Sequence, residues 1–526
     1  MAAKLLVKTP FVGGPPGCRK LFSSSRLLSS NTVVELSAPN GLRWKQPLGL
    51  FVDNELVQGQ HEDQITSINP YTEKELCSVH AAGRLDIDAA VSSCRGALAR
   101  PSWRDMETQQ RSRLMHRLAD LVDSHALTLA TIESLDNGKP LGASLGWDVP
   151  QLAETLRYYA GWADKLHGQT FDLGRGKMAY TVRQPVGVCA AIVPWNYPLA
   201  MAGWKLGPAL ACGNTVVLKA AENTPLSTLY LAQLIREAGF PPGVVNVVNG
   251  LGSVAGAALA EHGGVDKVAF TGSTATGRRV MRAAASNLKG ITLETGGKSP
   301  LAVFADANLD QAVRWAHEGV MGNQGQICTA TSRLLIQDAV HDEFVERLKN
   351  ITKTTSVLGD PFAESTYQGP QVSREQKDKV LGFVEGAREE GSSVWQPEDA
   401  SLPSQGFFVP PTIITGVGPD SAVFREEIFG PVATVTRFKD EDEALRLANS
   451  SRYGLAGAVF TSSLGRAHRF AAGVKAGMIW VNSSNDSDVR VPFGGVKQSG
   501  IGRELGEEGL RGYHEIKAVH VNLTDS

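Results

Sequence analysis

Between residues 187 and 295 short apolar runs alternate with helical stretches, and this alternation restricts the fold more than any other feature of the chain. GVCAAIVPW (187–195) is continuously apolar, the pattern of a strand buried on both faces. LAMAGWKLGPALACG (199–213) reads as helix and turn, TVVLK (215–219) as strand, and LSTLYLAQLIREAG (226–239) as a helix ending at Gly239. VVNVV (244–248), SVAGAALAEH (253–262), KVAFTG (267–272), TGRRVMRAAAS (276–286) and ITLET (291–295) continue the series. Alternation of this length predicts an α/β fold with a doubly wound parallel sheet. Upstream, 107–123 sets Leu114, Leu118, Leu121 and Val122 at helical spacing, and a second helical stretch runs to Leu135. Downstream, 297–500 mixes strands and helices less regularly, with amphipathic helices expected at 309–321 and 342–352 and loops at 359–371 and 491–502.

At 526 residues the chain exceeds what one core organises, so two or three domains are expected. Its apolar (42%) and charged (20%) fractions are those of a soluble globular protein. A net charge of -2, with both signs interspersed after residue 31, gives no one-sided basic surface for nucleic acid. No apolar run approaches the 18 or so residues of a membrane span. Six cysteines (Cys18, Cys77, Cys94, Cys189, Cys212, Cys328) lie far apart without a CxxC pair. That argues against a disulfide framework or a metal site and leaves a lone cysteine as a candidate nucleophile. The first thirty residues are different. They are basic (Lys4, Lys8, Arg19, Lys20, Arg26), Ser-rich and free of acids, as the first acid is Glu35. This is the composition of a mitochondrial transit peptide over 1–30. A plain tail on a cytoplasmic protein is the other reading, since Pro10, Pro15 and Pro16 weaken an amphipathic helix.

Doubly wound sheets bind ligands at the carboxyl ends of their strands. There the first strand runs into Pro194-Trp195-Asn196-Tyr197, the second ends in Lys219 with Glu222 beyond, and 267–272 runs into a turn from Gly272 through Ser273 to Gly277. Strand, Gly-rich turn and helix together offer N–H groups to a phosphate. The spacing is not GxGxxG, so a tight turn that merely needs glycine explains it equally well taken alone. An acid ending the second strand is where a dinucleotide ribose is held. Glu222 would accept from both hydroxyls and repel a 2′-phosphate, whereas Lys219 would attract one.

Four further segments carry chemistry: Leu293-Glu294-Thr295-Gly296-Gly297-Lys298-Ser299-Pro300, Gly325-Gln326-Ile327-Cys328-Thr329, Glu426-Glu427-Ile428-Phe429-Gly430-Pro431, and Pro492-Phe493-Gly494-Gly495-Val496-Lys497-Gln498-Ser499-Gly500. With Pro194-Trp195-Asn196, and in this order over roughly 35–526, they resemble the aldehyde dehydrogenase superfamily. The resemblance implies NAD as cofactor and an aldehyde as substrate. It makes Cys328 the nucleophile, and a thiolate suits attack on an aldehyde. Asn196, with the Cys328 N–H, becomes the donor to the adduct's oxyanion, and Glu294 the base that activates water against the thioester. Lys205 and Glu504 match proton-relay positions. Glu427 matches the residue holding the nicotinamide ribose, and Trp195 and Phe429 flank the cofactor. Each has a plainer structural reading: a buried apolar cysteine, a turn asparagine, a strand-end acid.

The resemblance further implies an NAD-binding domain over 35–165 and 186–296, a catalytic domain over 297–500, and an oligomerisation arm from 167–185 and 514–523, hence a homodimer or homotetramer. Acylating relatives, which pass the thioester to coenzyme A, typically lack the acid matching Glu294. A non-catalytic structural protein on this fold would tolerate losing the cysteine or the base, and both are present. The aldehyde itself stays open. Tyr158, Tyr159, Trp162, Trp195, Tyr197, Trp204 and Phe493 could line a tunnel or be core packing. An aromatic box would suit a betaine aldehyde or aminoaldehyde by cation–π attraction. The segments ETGGKSPL and NQGQICTATSR resemble enzymes for those substrates, although many of them have Trp where this chain has Phe493. The loop 483–490 is unusually polar.

Overall fold

The structure is a computed structural model that describes residues 32–61, 63–398 and 402–524. The expected transit segment and Cys18 lie outside the described residues.

The runs that read as buried strands are Val188–Ile192, Thr215–Lys219, Val245–Val248, Lys267–Thr271 and Gly290–Glu294, and all five pair in parallel. Their apolar character follows from having a helical layer on each face. In Val188–Ile192, Cys189 and Ala191 enter one core, while Val188, Ala190 and Ile192 enter another. The helices between them, Pro198–Ala211, Leu226–Ala238 and Thr274–Ala284, close near the boundaries expected from sequence. Leu226–Ala238 ends at Gly239, whose φ of 95° is the left-handed turn that glycine supplies at a helix C-terminus.

Across the sheet the order is Gly500–Ile501, Gly290–Glu294, Lys267–Thr271, Val188–Ile192, Thr215–Lys219, Val245–Val248, Leu50–Val52, Glu55–Val57. The chain builds outward from Val188–Ile192 in one direction and then returns to its other side. A crevice therefore opens between the ends of Val188–Ile192 and Lys267–Thr271, the topological switch at which such sheets bind ligands. The sheet is not parallel throughout. Leu50–Val52, Glu55–Val57 and Gly500–Ile501 are short antiparallel edges. The stretch 491–502, expected as loop, thus contributes a strand, with Gly500 opposite Glu294.

Residues 300–481 build a second sheet in the order Ser393–Trp395, Thr412–Thr415, Val432–Phe438, Arg333–Gln337, Pro300–Val303, Ala456–Phe460, Met478–Val481. It is parallel except for Ser393–Trp395. The helices Leu309–Met321 and His341–Thr355 cover one face, as their amphipathic patterns predict. A third sheet joins His514–Asn522 to Lys177–Pro185 over nine antiparallel pairs, with Thr170–Asp172 beyond. The two segments expected to form an arm are therefore one hydrogen-bonded unit. Among the described residues no helix is long and apolar enough to cross a membrane.

Candidate active site

A cavity of about 880 Å³ opens at the switch crevice and runs between the two large sheets. Asn196, Glu294, Cys328 and Glu504 line it, as do Trp195, Gly272, Ser273, Glu427 and Phe429. Thirty-four or more positions of sequence separate neighbouring members of the set Asn196, Glu294, Cys328 and Glu504, and the fold gathers them here.

Cys328 arrives by a sharp turn. The helix Leu309–Met321 ends, and Asn323, Gln324 and Gly325 follow with φ of 45°, 57° and 71°. A Cβ on Gly325 would lie 2.0 Å from the Gly430 backbone, so this position needs both the conformation and the absent side chain of glycine. Burial, with the Glu427 and Glu294 carboxyls nearby, pushes the Cys328 thiol up to about 12. A thiol raised this far is protonated at neutral pH.

Asn196 lies just beyond the strand Val188–Ile192, and its side-chain amide donates to the Gln326 carbonyl at 2.8 Å, two residues before the cysteine. An amide has a second N–H, and the residue faces the cavity that Cys328 lines. Glu294 ends its strand buried (3% exposed) with neither carboxylate oxygen hydrogen-bonded. Burial, reinforced by Glu504, raises its pKa well above the ordinary value, opposed by Lys205 and Arg503. A buried carboxyl group that faces a cavity without a hydrogen-bond partner does not serve to hold the surrounding backbone. Lys205 stands behind, ion-paired to Glu504 and donating to Thr271 Oγ1 at 2.6 Å.

On the cofactor side, Glu427 Oε1 accepts from Gly297 N at 3.1 Å, and its pKa is raised to about 7 by burial. A Cβ on Gly296 would fall 2.0 Å from Glu427 Oε2, so the adjacent glycines let the carboxylate approach the backbone. Trp195 and Phe429 meet edge to face, 5.3 Å between centroids. Ser273 caps the helix Thr274–Ala284, accepting from Thr276 N, and the first helical N–H groups are free for an anion. Gly277 packs beneath this turn: its Cβ would sit 2.8 Å from Thr295 Cγ2.

Lys219 and Glu222 are apart from the cavity wall, at the end of Thr215–Lys219. Lys219 Nζ donates to Ala220 O (2.9 Å) and Glu222 Oε2 (3.4 Å), and Glu222 Oε1 accepts from Gly252 N (3.4 Å). Lys219 is buried, which lowers its pKa against the pull of Glu222. The donor set fits a nicotinamide dinucleotide: N–H groups at one strand end, and carboxylates at a second strand end and at the mouth of the thiol cavity.

Two cavity residues escape sequence reasoning. Gln376 donates to the Phe429 carbonyl at 2.7 Å, and Lys379 draws on the Glu427 carboxylate. Both lie on the helix Arg374–Glu389, whose pattern is that of any surface helix. Of the aromatics considered, Trp195, Tyr197, Trp204 and Phe493 line the cavity, joined by Trp147. Tyr158, Tyr159 and Trp162 do not; they pack with the core beside the helix Val149–Ala160.

This geometry has counterparts. The profile of the aldehyde dehydrogenase family matches residues 56–519. An aldehyde dehydrogenase of Aspergillus niger is 48% identical over 498 residues, covering 94% of this chain and 99% of that protein. Aldehyde dehydrogenase [NAD(P)+] 1 of Saccharomyces cerevisiae is 49% identical over 487 residues, 91% and 96% of the respective chains. An NAD+ complex of aldehyde dehydrogenase from Bacillus cereus superposes with a TM-score of 0.88 at 44% identity, covering 91% of this chain and 97% of that one. With its parallel-sheet architecture, its gathered cysteine, asparagine and glutamate, and these likenesses along nearly its whole length, the chain belongs to the aldehyde dehydrogenase family and is an enzyme that oxidises aldehydes with a nicotinamide cofactor.

Proposed function

We propose that this enzyme converts an aldehyde to a carboxylic acid through a thioester on Cys328 that is released by water. The reading rests on one observation: the Cys328 thiol, the Asn196 amide and the unpartnered Glu294 carboxyl group face the same cavity. The thiol loses its proton and its sulfur adds to the aldehyde carbon. The carbonyl oxygen becomes an oxyanion, held by the Asn196 amide and the Cys328 N–H. When bound, NAD accepts the hydride that this adduct releases as it becomes a thioester. Glu294 then takes a proton from water, the water oxygen adds to the thioester carbon, and the C–S bond breaks to return the cysteine. Lys205 and Glu504 would carry the proton onward. Glu427 would hold the nicotinamide ribose beside Trp195 and Phe429, Gly272 and Ser273 the diphosphate, and Glu222 with Lys219 the adenosine ribose.

Glu294→Gln tests the division of labour. The amide keeps the shape and removes the base. A burst of reduced cofactor near one per active site should persist, while steady turnover falls by roughly 10²–10⁴. Unchanged turnover would mean that the base is another group.

The cavity lining of Leu145, Trp147, Tyr197, Met201, Trp204 and Phe493 supports an aldehyde with an apolar body. A betaine aldehyde or aminoaldehyde is the second reading, since the same rings could hold a cation and the exposed Glu318 also lines the cavity. Comparing kcat/KM across aliphatic, aromatic and quaternary-ammonium aldehydes decides between them. We further propose NAD in preference to NADP, on the strength of Glu222; assembly as a dimer or tetramer through the edge strand His514–Asn522, which exposes Ile516; and mitochondrial import with removal of about thirty residues, on composition alone.

A further inference from the structure

Behind Asn196 lies a fully buried set of charges that no step above uses. The helix Ala126–Asn137 ends at Gly138 (φ 88°), where a Cβ would meet Pro370 at 2.9 Å. The turn aims the polar side chains on either side of Gly138 at two consecutive carbonyls. Asn137 Nδ2 donates to Trp195 O at 2.7 Å, and Lys139 Nζ donates to Asn196 O at 2.9 Å. Lys139 is 1% exposed, and its ammonium also donates to Asp148 Oδ1 at 2.6 Å, lies 3.7 Å from Glu133 Oε1, and sits 4.3 Å from the centre of the Tyr197 ring. Burial, and next the Asp148 carboxylate, raise the Glu133 pKa well above the ordinary carboxyl value, against the pull of Lys139. Trp147, adjacent to Asp148, packs tilted against Tyr197, with 4.7 Å between ring centroids, and shares the cavity wall with it.

We propose that Lys139 is a positioning residue for the oxyanion site: by clamping the Asn196 carbonyl it fixes where the Asn196 amide points, and through Asp148 and Tyr197 it ties that amide to the tunnel wall. A buried ion pair in the core is an expensive way to gain stability, because apolar residues of the same volume do as well or better. Its geometry here serves orientation. The ammonium grips the backbone of a residue whose side chain donates to the Gln326 carbonyl, just after the cysteine turn, at 2.8 Å; Asn323 Nδ2 reaches both that carbonyl (3.3 Å) and the Asn196 carbonyl (3.2 Å). A displacement of about 1 Å at such a donor costs on the order of 10² in rate.

The inference rests on Asn196 being the oxyanion donor, and a mutant cycle separates the two ideas. The measured quantity is the single-turnover rate of cofactor reduction, alongside the dissociation constant for NAD. Asn196→Ala alone should slow the burst by roughly 10²–10³; a burst near the wild-type rate would sink the oxyanion reading itself. Lys139→Met should slow it by about 10- to 100-fold with NAD affinity within about twofold. In the Asn196→Ala background, Lys139→Met should cost less than about threefold more, because the residue through which it acts is gone. A full multiplicative loss there, or no loss in wild type, overturns the proposal. Lys139→Met combined with Asp148→Asn and Glu133→Gln removes every charge of the set and carries the same cycle if the single variant does not fold.

Discussion

Cys328, the proposed nucleophile, has a suppressed thiol. Its cavity excludes enough water, and places Glu427 and Glu294 close enough, to push the thiol up to about 12. In the absence of cofactor only the thiolate fraction is reactive, and with a raised pKa that fraction grows about tenfold per pH unit through neutrality. Alkylation of Cys328 by iodoacetamide, followed by mass spectrometry of its peptide, should therefore rise with a slope near one from about pH 7 to pH 10 without a plateau. A plateau near pH 7–8 would mean an activated thiolate in the free enzyme. Cys328→Ala should retain NAD binding and lose dehydrogenation by at least about a thousandfold, the scale of a lost nucleophile.

At the scale of single elements, the proposed preference for NAD rests on the strand Thr215–Lys219 and the turn after it. Glu222 meets both Lys219 Nζ and Gly252 N, so its carboxylate is turned to the place where a ribose would sit. Glu222→Gln should lower the NAD-to-NADP ratio of kcat/KM by about tenfold or more, the effect of removing one like charge a few ångströms from a phosphate. A ratio that does not move would shift the discrimination to Lys219 or the backbone. The same strand explains what could be read beforehand. TVVLK is apolar on both faces because Val216 and Leu218 enter one core and Val217 the other, and such a run announces itself in one dimension. Leu50–Val52, Glu55–Val57 and Gly500–Ile501 are two or three residues long, too short for periodicity, and belong to this sheet only through contacts made far away in sequence. Cys328, Glu294 and Asn196 could be nominated because their neighbours form an ordered set of motifs. Gln376, Lys379 and Lys139 could not, since a polar residue on a helix or after a helix-ending glycine carries no local sign of what it will face.

Across the whole molecule, several carboxyl groups are buried without a full complement of donors. Asp136 is one: Oδ2 accepts from Leu226 N at 3.0 Å, Oδ1 accepts from nothing, and burial raises its pKa to about 8. The unfolded chain returns it to about 3.9. A group whose pKa rises on folding contributes stability that is complete below its unfolded pKa and is lost as pH climbs through the folded value. Stability should thus decline between about pH 4 and pH 8, and Asp136→Asn should flatten that decline. Denaturant midpoints at pH 5.5 and pH 8 measure it; equal slopes in both proteins would exclude Asp136 as a source. The assembled state and the mature start are open to equally direct measurement. Sedimentation should give twice or four times the chain mass, and mass spectrometry of native protein should find a start near residue 30. A monomer, or a cytosolic protein with its first residues intact, would refute these two proposals.

The two-residue edge Gly500–Ile501 reaches beyond its size. It bonds to Leu293 and Glu294, while the same stretch carries Phe493 and Glu504, themselves paired through Phe493 N to Glu504 O at 2.6 Å and Glu504 N to Phe493 O at 2.8 Å. Gly494, between them, approaches the base so closely that a Cβ would stand 2.6 Å from Glu294 Oε1. The cavity wall at Phe493 and the group proposed to release the acid are therefore held by one ribbon of backbone. For divergence or redesign this is a constraint on modularity: a substitution that reshapes the tunnel at 493–495 also shifts the base. New specificities reached through this segment should come with altered hydrolysis, whereas changes at Met201, on another segment, are free to retune the aldehyde alone.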